Sequence, residues 1–373
     1  MKMTTLAAAM IGLGGAVGAA PARSAVEIYG VLDTAVEHLR SSTGQHASLM
    51  KQTGHVPSRV GLRGREDLGN GMQARFELES GLGLDSGSLL QGGRMFGRSA
   101  YVGLGSRQWG EVRLGRQLSL MQGALAPYDP DHFSPYSPAL AMQLSDLSQT
   151  SLDNVASYWS PTVGGFALAL AFASGENAPV APNPGAPQVV GPGTARHTRA
   201  ALLTYRRAGL SAGVGFQAAG QRLAAGGNAD QRMFSAAVNY RFGDFELGAV
   251  WWTHRNELPG GGVPRTDVWT VGGAWWALPG LRLVAQVGRA RDNGLAYATG
   301  AAKARGRNTY LNIGATYDLS KHTAVYVRLG RVSDEHAGFG GRPDLASTAM
   351  REGIAVPANG SVKGGLIGVR HVF

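Results

Sequence analysis

Nearly the whole chain alternates polar and apolar side chains with a period of two, the signature of extended strands rather than amphipathic helices. From Val26 to Glu37, the residues Glu27, Tyr29, Asp33 and Glu37 fall on one face, and Val26, Ile28, Leu32 and Val36 on the other. From Arg59 to Arg65, the arginines Arg59, Arg63 and Arg65 alternate with Val60, Leu62 and Gly64. From Gly71 to Leu84, Gln73, Arg75, Glu77 and Glu79 oppose Met72, Ala74, Phe76 and Leu78. Strands whose two faces differ this sharply have to meet two different solvents.

Further segments of this kind lie near 95–104, 109–118, 152–160, 165–174, 198–207, 210–219, 231–241, 244–254, 266–277, 280–290, 307–318, 323–333 and 362–373, which makes sixteen strands. Short connections rich in turn residues, such as Glu66–Gly71, Ser160–Gly164 and Ala277–Gly280, alternate with long ones at about 118–151, 175–197, 220–230, 255–265, 291–306 and 334–361. Short turns at one end and long loops at the other describe an up-and-down antiparallel barrel. A soluble β-sandwich also alternates, but its apolar face would be a filled interior and its polar face would be rich in Lys, Ser and Thr. Here the polar face carries repeated Arg with scattered Asp and Glu, over more strands than one core can cover. The fold class is therefore all-β, a transmembrane sixteen-stranded barrel. Closure pairs every backbone group, lipid meets the apolar faces, and an aqueous lumen is left inside.

Composition agrees. Charged residues make up only 16% of the chain and glycine 56 of its 373 residues, while 11 Tyr, 11 Phe and 7 Trp exclude a disordered polypeptide. After the first twenty residues no apolar run approaches the ~18–20 needed for a membrane-spanning helix. Met1–Ala22 reads as a cleaved signal peptide, with Lys2, an apolar run from Leu6 to Val17 and small residues at Ala20-Pro21-Ala22. Residues 23–373 then form a single barrel domain. With no cysteine, neither a disulfide nor a thiolate metal site is open to the chain, which suits an oxidising periplasm. The aromatic pairs Tyr158-Trp159, Trp251-Trp252 and Trp275-Trp276 and the single Tyr317 lie near turns, as rings at membrane interfaces do. The last strand ends the protein on Phe373.

The chain resembles the trimeric general porins of Gram-negative outer membranes, in the β-proteobacterial branch of Neisseria, Bordetella and Burkholderia. The resemblance is carried by Val26–Asp33, Ser58–Gly71, Phe76–Gly81, Phe96–Leu104, Leu114–Gln117, Tyr317–Thr323 and Gly368–Phe373, in this order over most of the chain. It implies a homotrimer with one pore per chain and a third long loop, about 118–151, folded inward as a constriction. It also implies that Phe373 is the signal to the barrel-assembly machinery. The flanks of the first and last strands would then make the trimer contact, the second loop near Asp85–Gly93 would reach over a neighbour, and Arg116 would serve its latching. The family's pore-wall arginines map onto Arg59 and Arg98. Relatives carry a further arginine where this chain has Ser151, ahead of Asp153, which would then be free to turn toward the lumen.

Period two adds Arg63 and Arg75 to the same face as Arg59, together with the acids Glu77, Glu79 and Asp33. These acids could pair with the arginines in a structural ladder. The loop supplies Asp129, Asp131 and Asp146 opposite that wall, among four prolines that limit its motion. The net charge of +10, or about +9 (10 − 1) without Lys2, places a positive field along the path or at an outer rim facing lipopolysaccharide phosphates. The function implied is passive diffusion of small hydrophilic solutes and ions with weak to moderate anion preference. Two rivals are a substrate-specific channel, which would need an aromatic track, and an outer-membrane hydrolase, for which Glu77 and Glu79 are an acid pair on one face. Neither metal-ligand spacing nor a phosphate-cradling glycine motif points to a cofactor, and the export signal argues against a nucleic-acid partner.

Overall fold

The computed structural model describes residues 25–51, 54–121, 126–132, 136–137, 151–174, 195–222, 228–295, 302–335, 354, 356–357 and 359–373. The proposed signal peptide and Asp146 lie outside these residues. The strands are β1 (Ala25–Ser41), β2 (His46–Lys51), β3 (Arg59–Gly69), β4 (Met72–Gly83), β5 (Ser88–Leu89), β6 (Ser99–Ser106), β7 (Gly110–Leu118), β8 (Ser151–Trp159), β9 (Phe166–Ala173), β10 (Ala195–Arg207), β11 (Leu210–Arg222), β12 (Asn228–Phe242), β13 (Phe245–Glu257), β14 (Arg265–Leu278), β15 (Leu281–Asp292), β16 (Arg307–Asp318), β17 (Thr323–Glu335) and β18 (Ser361–Val372). β2 and β5 belong to the first two long loops. The other sixteen form the wall, and each has a counterpart in the alternating segments of the sequence.

Neighbouring wall strands pair antiparallel all the way round, and β1 closes the barrel on β18, with Val31 opposite Val372 and Ser41 opposite Val362. The other edge of β1 is shared. Ala25–Val31 pair with β3, and Ala35–Arg40 pair with β2, a strand the alternation does not announce. β2 extends the sheet above the point where β3 leaves β1, so that edge of β1 is also paired. Turns at the other end are tight. In Gly69-Asn70-Gly71 all three residues are left-handed (φ 81°, 50° and 77°), which glycine and asparagine tolerate best.

Burial is inverted relative to a soluble domain. The outer face exposes Val26 (64%), Ile28 (66%) and Ile367 (66%), whereas Asp33, Glu37, Gln217, Asn312 and Arg328 are shut away inside. Register keeps the faces pure: outward Val102 lies between Phe76 and Leu114, and inward Tyr101 between Glu77 and Gly115. A single-residue slip would put arginine into lipid.

The chain end is part of the closure. Gly30 N–H donates to Phe373 O at 2.9 Å, and Phe373 N–H donates to Gly30 O at 3.1 Å. A Cβ on Gly30 would lie 2.8 Å from Phe373 Cε1 and 2.9 Å from Arg59 O, so the terminal ring needs glycine beneath it. Gly30→Leu is therefore expected to destabilise the closed barrel by about 1–3 kcal/mol. The effect would register as a lower temperature for loss of the fast-migrating folded form on detergent gels.

Candidate functional site

The third long loop enters the lumen after β7 and rides along the inner wall from β11 to β1. Its path is a track of inward glycines. A Cβ on Gly215 would lie 2.7 Å from Met121 Sδ, one on Gly248 2.6 Å from Tyr128 O, and one on Gly364 2.6 Å from Tyr136 Oη. Removing side chains from the wall lets the loop lie flush against it.

Polar anchors then fix the loop strand by strand. Tyr128 Oη donates to Ala212 O on β11 at 2.9 Å. Gln286 Nε2 on β15 donates to Asp129 Oδ1 at 2.5 Å, and Arg282 on the same strand donates to Pro130 O. Asp131 is fully buried against β16 and β17, accepting Arg328 Nη2 at 2.9 Å on Oδ1, and Arg328 Nε at 3.0 Å and Asn312 Nδ2 at 2.7 Å on Oδ2. His55 Nε2, from the first loop, lies 3.3 Å from the same carboxylate. At the far end Tyr136 Oη donates to Glu37 Oε1 on β1 at 2.6 Å, and Lys51 Nζ is 3.1 Å from Oε2. Burial alone would raise the Asp131 carboxyl, but Arg328 and His55 outweigh it and hold the group well below the usual carboxylate range.

The opposite side of the lumen, on β3 to β7, carries two arginine–carboxylate–arginine groups. Glu79 Oε1 lies 2.6 Å from Arg98 Nε, and Oε2 lies 3.3 Å from Arg59 Nε and accepts Tyr29 Oη at 3.1 Å. Glu111 Oε1 accepts Arg113 Nε at 3.0 Å, and its Oε2 accepts Arg75 Nη1 at 3.3 Å. Each group holds two guanidinium charges against one carboxylate, so each leaves a net positive charge at the wall. Arg63 is matched one to one by Glu27, through a two-point contact of 2.7 and 2.8 Å. Glu77 accepts a long bond of 3.4 Å from Tyr101 Oη.

Several sequence expectations are redirected by this geometry. Asp129 and Asp131 point into the wall on the loop's own side instead of facing Arg59 and Arg98 across the aperture, because Arg328 and Gln286 wait there. Asp33 is on the inner face but fully buried, accepting the amides of His55 and Val56 and the Tyr326 hydroxyl, so it shapes the first loop rather than touching lumen water. Asp153 does not face the lumen. It pairs with Arg94 at 2.7 Å and Arg116 at 2.5 Å, and Arg116 continues the outward row of Val112 and Leu114. Ser88–Leu89 in the second loop fold back on the chain's own β4, with Leu89 opposite Leu82. Glu111, Arg113 and Arg328 were missed, although the alternation of β7 and β17 already set them on the polar face.

The family model for Gram-negative porins matches residues 5–337 of this chain. The chain belongs to the Gram-negative porins. It is similar to outer membrane porin protein 32 of Delftia acidovorans, 30% identical over 382 aligned positions that cover 100% of both chains. It is also similar to an outer membrane porin protein of Bordetella pertussis, 34% identical over 191 positions spanning 48% of this chain and 49% of that one. Among solved structures, the anion-selective porin from Comamonas acidovorans superposes with a TM-score of 0.77 at 24% identity, covering 94% of this chain and 100% of that one, a likeness of fold. This porin is thus a passive channel of the outer membrane, and porins are not enzymes.

Asp131 sets the most exacting test of the loop. Its carboxyl titrates below the ordinary range, so the anchoring it gives is complete at neutral pH and is lost only as pH falls through that depressed value. Single-channel conductance is expected to stay level through pH ~4, where a free carboxylate is half neutral, and to change below it. Asp131→Asn strands the buried Arg328 charge, a loss of about 3–5 kcal/mol, and is expected to give noisier currents and closure at lower voltage already at pH ~7.

Proposed function

We propose that this porin is a general-diffusion pore with weak to moderate anion preference, working as a homotrimer. The observation that carries the selectivity is the division of the lumen. The loop acids Asp129 and Asp131 are spent inside one wall, while the other wall presents Arg59, Arg98, Arg75 and Arg113 against Glu79, Glu111 and Glu77, an excess of positive charge. Small anions passing between them meet a positive field strengthened by low-dielectric surroundings. The name of the Comamonas acidovorans porin points the same way.

The outer surface supports the trimer. Aromatic side chains stand outward on β9 to β16, including Phe166, Phe216, Phe234, Trp251, Trp275 and Tyr317, as expected beside lipid. On β1, β3, β4, β6 and β7 most outward residues are aliphatic, such as Val26, Ile28, Val36, Val102 and Leu114, with Arg40 and Arg116 among the charged exceptions and Phe76 the one outward aromatic on these strands. A sector this poor in rings, where Trp109 in the β6–β7 turn and Phe373 beside Gly30 are also exposed, fits contact with other copies of the chain rather than with headgroups.

Lipopolysaccharide is the proposed partner of the extracellular rim. There Arg40, Lys363 and Arg331 stand directly opposite one another across β1, β18 and β17, exposed on the outer face. Adjacent like charges are unfavourable until an anion such as a phosphate bridges them. Cleavage after Ala22 and recognition of the Phe373 strand by the barrel-assembly machinery complete the proposal.

Reversal potentials in a KCl gradient test the selectivity. Chloride is expected to permeate more readily than potassium, with the ratio approaching the free-solution value as salt rises. Arg59→Ala together with Arg98→Ala is expected to lower that ratio. Clear cation preference in the unmodified channel would overturn the proposal.

A further inference from the structure

A recess lies on the periplasmic side of the constriction loop, between the start of that loop and the turn that joins β8 to β9. Its volume is about 420 Å³, within the range of small-molecule sites. Cations and aromatic rings are concentrated in it. Arg75 and Arg113 enter from one side and Arg206 from the other, and among the described residues Glu77 is the lone carboxylate on its lining. The Arg113 guanidinium stacks over two rings, 5.1 Å from the Tyr101 centroid and 4.7 Å from that of Trp159. Its Nε and Nη2 are taken by Glu111, and Arg75 reaches the same carboxylate through Nη1 alone. Arg206 is exposed to lumen water. The rest of the lining is largely apolar, with Leu118, Leu120, Pro127 and Leu202.

A chloride ion uses none of that apolar surface, and a cation is opposed by three arginines. A planar ring bearing one carboxylate uses both features. Its carboxylate meets guanidinium N–H groups that Glu111 leaves open, and its ring meets the Trp159 face and the leucines. We propose that this recess is a low-affinity binding site for small aromatic carboxylates, a saturable stop on an otherwise general diffusion path. The inference rests on the chain being a pore, and open-channel conductance in KCl alone reads that premise separately.

The test is a planar-bilayer titration of the full-length protein with phenylacetate, acetate and benzylammonium at constant KCl. Phenylacetate is expected to reduce the chloride current saturably, while acetate and benzylammonium leave no saturable component. Arg206→Gln and Trp159→Ala, both away from the Arg59 and Arg98 wall, are each expected to raise the half-blocking concentration roughly tenfold while open conductance persists. Two results would overturn the inference: phenylacetate acting no differently from acetate, or a saturable block that both variants leave unchanged.

Discussion

Hydrocarbon offers no hydrogen bonds, and that single constraint organises the molecule. Each backbone N–H and C=O facing lipid has to be paired within the sheet, so a sheet that stopped at β1 or β18 would leave an edge in oil. Closure of β1 on β18, with the terminal Phe373 laddered to Gly30, removes the edge. Once the ring is closed, strand pleating sorts side chains without further instruction: even positions of β1 to the outer face, odd positions to the barrel interior. A positive lumen becomes possible because the energetic demand for apolar surface is met outside.

The constriction is a second problem with a separate solution. A long loop inside an aqueous tube gains little from burial unless the wall is shaped for it, and here the wall supplies glycines where the loop is bulky and polar partners where it is not. The Asp131, Arg328, His55 and Asn312 cluster concentrates this anchoring. It also buries Asp129 and Asp131 in the wall, which in the proposed function leaves the field along the path to the arginines of the far wall. On the proposed function, anchoring and selectivity are two consequences of one arrangement of charge.

The strands were legible in the sequence because a two-solvent sheet writes its pattern into every second residue; Glu27, Tyr29, Asp33 and Glu37 announce the inner face of β1 unaided. The arginines of β3 and β4 were legible for the same reason. What periodicity does not encode is which partner a side chain finds across a lumen. Asp131 and Arg328 are 197 positions apart and meet only because the loop folds inward. Asp153 escaped for a local reason: a register shift between Gly115 and Gln117 in the pairing of β7 with β8, beside the left-handed Asn154, breaks the alternation that would have assigned its face. β2 was overlooked because six residues inside a loop carry too little pattern to separate from their surroundings.

The sorting of faces is the claim on which the channel stands, and the absence of native cysteine makes it directly measurable. Cysteine can be placed singly at inward positions (Arg59→Cys, Arg63→Cys, Arg75→Cys) and at outward ones (Leu62→Cys, Leu78→Cys, Val102→Cys), then treated with a charged, water-soluble thiol reagent during bilayer recording. The account predicts stepwise current changes for the inward set and unchanged current for the outward set. Equal effects on both sets, or current changes confined to the outward one, would contradict it.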